Sequence, residues 1–272
     1  MDDKELKLLT YRVKQRILDM AHDCGSSAHL GGSLSMVELL SVLYGNVMKY
    51  EPGNMKAITR DRFILSKGHC VLAFYSVLAE VGILGKDILN TFQQNGSLLS
   101  THPVMNLELG IESSNGSLGQ GLSMAVGIAK AGKVRKLDYN VYVMLGNGEC
   151  NEGAVWEAAM TATQWHLDNL TVIVDNNKMQ SDGNSKQIID LDEMETKWKS
   201  FGFVVENIDG HDIEQILNAF ATSHTDRPKI IIGNTKKGNG ISFMENNPEW
   251  HHNRLTDLLY QQACTELEGV LC

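Results

Sequence analysis

Proline is rare in this chain, with 4 residues in 272 against 25 glycines. That ratio speaks against proline-rich linkers and for the tight strand-to-helix turns of α/β folds. Cysteine is sparse and badly spaced for pairing: Cys24, Cys70, Cys150, Cys264 and Cys272 are odd in number and include no CxxC pair. Neither a disulfide framework nor a zinc site is indicated, and the cysteines are read as reduced bystanders. Positive charge is also short. With 24 Lys and Arg against 33 Asp and Glu, the formal net charge is -9, which excludes a general nucleic-acid surface because phosphate backbones are held by clustered cations. Long apolar runs are missing, and nothing approaches the ~18 residues that a membrane span needs. The opening MDDKELKLLTYRVKQRILDMA lacks the basic end and apolar stretch of a signal peptide, so a cytoplasmic protein is the default. What is present, 43% hydrophobic residues, is ample for a core.

Leu6, Leu9, Val13, Ile17, Leu18 and Met20 recur at helical spacing, and residues 36–47 predict a second apolar helix with Ser35 as its cap. β-rich runs follow at 62–65, 139–145, 170–174, 203–208 and 229–232, separated by helix-length segments such as 153–165 and 213–224. Residues 122–131 read as a packed helix entered through a small-residue loop at 116–121. The alternation predicts an α/β fold, a mostly parallel sheet with helices on both faces. No linker, charge block or internal repeat marks a boundary, so residues 1–272 read as a single domain with helical elaborations before Tyr139. Ligands in such sheets sit beyond the carboxyl ends of the strands.

Two loops stand at those ends: Gly146-Asn147-Gly148-Glu149, and Asp175-Asn176-Asn177-Lys178. Oxygen-bearing side chains flanked by glycines that admit close backbone approach suit a hard cation clamped to a diphosphate. A GNG turn by itself is an ordinary turn. Paired with the asparagines at the next strand end, it acquires a meaning. Further segments stand out: Ser27-Ala28-His29-Leu30-Gly31-Gly32, Asp61 to His69 (DRFILSKGH), Thr101-His102-Pro103, Gly116 to Ser123 (GSLGQGLS), Asn151-Glu152-Gly153 and Thr235-Lys236-Lys237-Gly238.

Together these segments resemble the amino-terminal, diphosphate-binding (PP) domain of transketolase, over nearly the whole chain. The resemblance implies a thiamine-diphosphate-binding fold and, from the family's GDG…NN motif, a Mg2+ site (or Ca2+ or Mn2+) formed by Asn147, Asn177 and the Met179 carbonyl. It implies a cofactor-binding set of His69, Gly116, Leu118, Gly148, Glu149 and Asn177. The implied catalytic set is His29, His69, His102, His251 and Glu152, with the imidazoles around the donor sugar and Glu152 in a carboxylate network linking paired sites. Asn147 departs from the family's aspartate. Its amide oxygen can coordinate but brings no negative charge, so a weakened metal site is expected. Imidazoles suit a ketol transfer because they donate to developing alkoxide charge, in neutral or cationic form, or carry a proton near neutral pH.

Other side chains have plainer readings. His22, His166, His211, His224 and His252 match no motif and read as surface or core residues. Trp156 and Trp165 read as packing residues, Glu157 as a first-turn carboxylate, and Arg60, Arg62, Lys236 and Lys237 as surface charge. The resemblance stops short of transketolase's pyrimidine-binding and carboxyl-terminal domains. Its implied partner is therefore a transketolase C-terminal subunit, in an α2β2 assembly, and its implied substrates are sugar phosphates. Competing readings are the α subunit of a 2-oxo-acid dehydrogenase, a deoxyxylulose-phosphate synthase fragment, and a non-catalytic structural or regulatory subunit motivated by Asn147.

Overall fold

A computed structural model describes residues 1–191 and 193–269; Cys272 lies outside the described residues. In chain order the elements are α1 (Asp3–Asp23), β1 (Ser27–Ala28), α2 (Gly31–Leu34), α3 (Val37–Val42), β2 (Arg62–Leu65), α4 (Val71–Glu80), α5 (Lys86–Leu89), α6 (Gln120–Arg135), β3 (Val141–Gly146), α7 (Gly153–Gln164), β4 (Leu170–Asn176), α8 (Ser185–Ile188), α9 (Met194–Ser200), β5 (Val204–Asp209), α10 (Ile213–Ala221), β6 (Lys229–Asn234), β7 (Asn253–Arg254) and α11 (Asp257–Gly269). Among the described residues no helix is long and apolar enough to cross a membrane. The start of α1 is fixed by a capping box: Asp2 Oδ1 accepts the Glu5 N–H at 2.8 Å, and Glu5 Oε2 accepts the Asp2 N–H at 2.8 Å.

Five strands form one parallel sheet in the order β2-β3-β4-β6-β5. The strands are buried on both faces, which is why they read as near-continuous apolar runs rather than alternating ones. Successive residues enter opposite cores. Tyr142 and Met144 of β3 pack into one, with α1, α3, α4, α10 and α11. Val141, Val143 and Leu145 pack into the other, with α6, α7 and α9. The helices thus lie on both faces, as expected.

Differences from the sequence reading are local. Strands β3 and β5 begin at Val141 and Val204, and β3, β4 and β6 run on to Gly146, Asn176 and Asn234, carrying the predicted ligand loops further out. A small antiparallel ribbon pairs β1 with β7, in register Ser27↔Arg254 and Ala28↔Asn253; two-residue strands leave no pattern to read. Ser35 does not cap the following helix. It ends α2, and its hydroxyl donates to Asp175 Oδ2 at 2.6 Å and to the Gly32 carbonyl at 3.1 Å, because a fully buried carboxylate demands donors more than a helix end does. The 36–47 segment itself runs as α3 and then one π-helical turn, Leu43–Val47.

Asp175 and Lys67 form the fold's most enclosed ion pair. Their charged groups lie 2.5 Å apart with side chains 0% and 3% exposed, joining the end of β4 to the loop after β2. Burial opposes both charges, yet Lys67 holds the Asp175 carboxyl below its usual range, and Asp175 raises the Lys67 ammonium. Replacing one partner leaves the other charge buried and unpaired. Asp175→Asn is expected to cost about 3–5 kcal/mol, and the double change Asp175→Asn with Lys67→Met markedly less. Urea unfolding of the two variants checks this; equal losses would show that the pair is not what matters.

Candidate active site

The register of the sheet sets the two ligand loops side by side. Gly146 pairs with Asp175 across β3 and β4, and the Asn147 N–H then donates to the Asp175 carbonyl at 3.2 Å. Asn147 and Asn177, the Gly148 backbone and Met179 line one cavity of about 460 Å3. The same cavity is lined by His29, His69, His251, Gly116, Leu118, Glu149 and Glu152. His102 stands just outside this wall, its ring 6.1 Å from that of His29. The residues singled out by sequence therefore converge from separate loops on one place. A larger hollow of about 630 Å3 adjoins it beyond Asn147, but no histidine lines it.

The carboxylates behave differently from one another. Glu149 points inward: Oε1 accepts the Gly119 N–H at 2.8 Å and the Ser66 hydroxyl, and Oε2 accepts the Gly146 N–H at 3.1 Å. Burial pushes its carboxyl up while these donors pull it down. Gly119 sits at φ +82°, and a Cβ there would come within 2.7 Å of Glu152 Cβ, so this turn requires glycine. Glu152 itself is exposed at the N-terminal edge of α7. Asn177 donates to Asp175 Oδ2 at 2.9 Å while its Oδ1 accepts the Met179 N–H at 3.1 Å. The Asn147 amide donates to Ser185 Oγ at 2.7 Å, a bond an aspartate could not donate.

The imidazoles form a cluster. From His29, ring centroids lie 5.1 Å to His69, 5.3 Å to His251 and 4.4 Å to His252; His69 and His251 lie 5.2 Å apart. Burial first, then neighbouring imidazoles, hold His29 down to about 3. Burial and Lys237 do the same to His251, at about 3, and burial with Lys67 brings His69 to about 4. His102 is also lowered, by burial and then His69. These rings are neutral near pH 7, which removes the cationic alternative for the chain as it stands.

Several residues at the site carry no motif that sequence reasoning would single out. His252, an ordinary histidine by sequence, packs closest of all to His29. Lys237 is not surface charge: it is 2% exposed, lines the cavity, and reaches the Gln180 carbonyl at 2.9 Å and His251 Nδ1 at 3.1 Å; burial lowers it to about 8. Its place in the conspicuous Thr235-Lys236-Lys237-Gly238 segment was the available signal. Nor are two of the arginines surface charge. Arg60 is buried against Glu112, and Arg62 is half-buried over the Tyr139 ring at 4.8 Å, whereas Lys236 is exposed as expected. Trp156 packs on Trp198 at 5.0 Å as expected, but Trp165 is 41% exposed beside Lys130.

The residues present fit a metal-bound diphosphate. Two buried polar atoms on cavity-lining residues, Asn151 Oδ1 and Gln180 Nε2, have no hydrogen-bond partner, and buried polar groups are normally satisfied. A Cβ on Gly148 would meet Gln180 Cγ at 2.8 Å, so only glycine preserves this wall. Two carboxamides and a backbone carbonyl are hard oxygen donors suited to Mg2+.

Residues 11–265 match the family model described as "Transketolase, thiamine diphosphate binding domain". The chain belongs to the transketolase family. Among its relatives, the first of two apulose-4-phosphate transketolase subunits, from Phocaeicola vulgatus, is 38% identical over 269 residues, covering 98% of this chain and 95% of its own. The 6-deoxy-6-sulfo-D-fructose transketolase subunit SqwG of Clostridium sp. is 42% identical over 242 residues, covering 88% of each chain. The solved transketolase from Leishmania mexicana superimposes with TM-score 0.89 at 28% identity, over 97% of this chain but only 41% of that one. The transketolase sheet and its PP-domain fold are thus shared, while the chain spans about two fifths of the solved enzyme's length.

The depressed histidines make a pH prediction. Their folded values, about 3 to 4, lie below the ordinary 6.5, so between those limits the unfolded chain binds more protons and acid favours unfolding. Stability is expected to be flat above about pH 7 and to fall between about pH 6.5 and pH 5. Denaturant melts across this range check the slope, and His69→Asn should make it shallower; an unchanged slope would contradict the reading.

Proposed function

We propose that this chain is the diphosphate- and metal-binding subunit of a two-chain transketolase, which moves a two-carbon ketol unit from a ketose to an aldose. The observation that carries the reading is the meeting, in one cavity, of the amide-bearing strand ends with the imidazole cluster. Two facts support a divided enzyme: the chain covers 41% of a solved transketolase but 95% of a relative whose name makes it one subunit of a transketolase. The second subunit then supplies the pyrimidine-binding and carboxyl-terminal domains, in an α2β2 assembly. The relatives' named substrates carry a phosphate or a sulfonate, which favours a ketose with an anionic end here. The matching relatives are transketolases, which speaks against the 2-oxo-acid dehydrogenase reading.

When bound, thiamine diphosphate supplies the carbon nucleophile and the electron sink for carbon–carbon cleavage. In this reading Asn147, Asn177 and the Met179 carbonyl hold Mg2+, and the Gly148 backbone, Gln180, Lys237 and His69 face the diphosphate. Gly116 and Leu118 offer backbone to the aminopyrimidine ring. Glu149 acts one step back, holding the Gly119 and Gly146 turns. His29, His102 and His251, neutral by burial, orient the sugar and donate N–H groups to oxygens on which charge develops. Exposed Glu152 faces outward, where a carboxylate network to a second copy would form.

The metal donors carry no formal charge, since Asp175 is engaged by Lys67 and Asn147 replaces the family's aspartate. Isothermal titration with thiamine diphosphate present should therefore find Mg2+ bound about tenfold tighter after Asn147→Asp; unchanged affinity would refute the charge argument. Ketol transfer should be absent from the purified chain and appear on adding the protein encoded beside it, thiamine diphosphate and Mg2+, then vanish with EDTA. Full turnover by the chain alone would overturn the two-subunit reading.

A further inference from the structure

The β1/β7 ribbon does more than tie two distant stretches of the chain. Its register, Ala28↔Asn253, sets the next residues outward, His29 and His252, opposite each other across the two strands, where side chains on paired backbones meet. The ring centroids are 4.4 Å apart at 44°, closer than His29 stands to His69, His102 or His251. His252 is exposed while His29 is half-buried and lines the cavity, so the pair runs from the cavity wall to its rim.

The hydrogen-bonding capacity of this pair is unused. His251 is tied to Lys237 Nζ and His102 to Thr101 Oγ1. Among the described residues, neither His29 nor His252 has a ring nitrogen bonded to protein. His252 follows a turn closed by Pro248–His251, and its backbone is extended, with φ -146° and ψ 104°, so its ring is carried by the ribbon and not by a free loop. A neutral imidazole offers one donor and one acceptor, the complement of a sugar hydroxyl, which is both.

We propose that His252 is a sugar-contacting residue, binding the polyhydroxylated tail of the ketose donor at the mouth of the cavity while His29 reaches toward the reacting carbonyl. The inference rests on the transketolase reading given above. It makes His252 a determinant of donor choice: it touches the carbons left behind, not the two-carbon unit that is transferred.

The test uses the assembled two-subunit enzyme with thiamine diphosphate and Mg2+, and two kinds of donor. D-Fructose 6-phosphate and D-xylulose 5-phosphate carry a tail; hydroxypyruvate delivers the same CH2OH–CO unit with loss of carbon dioxide and carries none. His252→Ala should raise KM for the better ketose phosphate about five- to twentyfold with kcat nearly unchanged. It should leave both constants for hydroxypyruvate, and cofactor affinity by titration, where they were. His252→Gln, which restores a donor and an acceptor, should recover much of the loss. Equal constants for the ketose phosphates, or the same loss with hydroxypyruvate, would overturn the role of His252 while leaving the transketolase reading intact. Absence of transfer by the wild-type assembly with every donor would instead overturn the reading on which it rests.

Discussion

One buried carboxylate organises the site without touching what the site binds. Asp175 receives Ser35 at 2.6 Å, Lys67 at 2.5 Å, Asn177 at 2.9 Å and the Thr235 hydroxyl. Those residues come from the end of α2, the loop after β2, the loop after β4 and the loop after β6. Each leads within a few residues to a cavity-lining group: His29 and Gly32, His69, Met179, and Lys237. Fixing four loop ends on one charge places these groups relative to one another. Because the pair is fully desolvated, its benefit over an apolar substitute lies in specificity of arrangement more than in net stability.

Glu149 plays the same part for the remaining loops, holding the Gly119 and Gly146 amides and the Ser66 hydroxyl. Ser66 and Lys67 are adjacent, so the loop after β2 is gripped by both carboxylates at once. The division of labour follows from the dielectric: inside the protein an acceptor-only group must find donors, and backbone amides of tight turns are the donors at hand. Negative charge is thereby engaged in holding loops, and the groups left facing the cavity are amides, imidazoles and one lysine.

Legibility in the sequence tracked the physics that produces pattern. The five parallel strands were visible because burial on both faces leaves continuous apolar runs, as at 170–174 and 229–232. The site was visible as motifs standing where strands end. Paired strands of two residues, β1 and β7, carry no periodicity at all, so the juxtaposition of His29 with His252 could not be read. Charge misled at Arg60 and Lys237, since a long side chain can bury its stem and satisfy its head on backbone or a single carboxylate. Ser35 looked like a cap because the rule for caps is local, whereas its partner Asp175 is 140 residues away.

The electrostatics of the cavity follow from this arrangement. Lys67 has its counterion; Lys237 has a carbonyl and a histidine, and burial lowers it to about 8. The imidazoles around it are lowered further, to about 3 to 4. These cation-capable groups facing the cavity are thus penalised by the same cause, the removal of water. That cause is symmetrical in its consequence. An anion entering so dry a pocket interacts with Lys237 and the ring N–H groups through a low dielectric, where each contact is stronger than at the surface. A pocket that resists positive charge on its own is for that reason a strong receptor for a diphosphate that brings its metal with it.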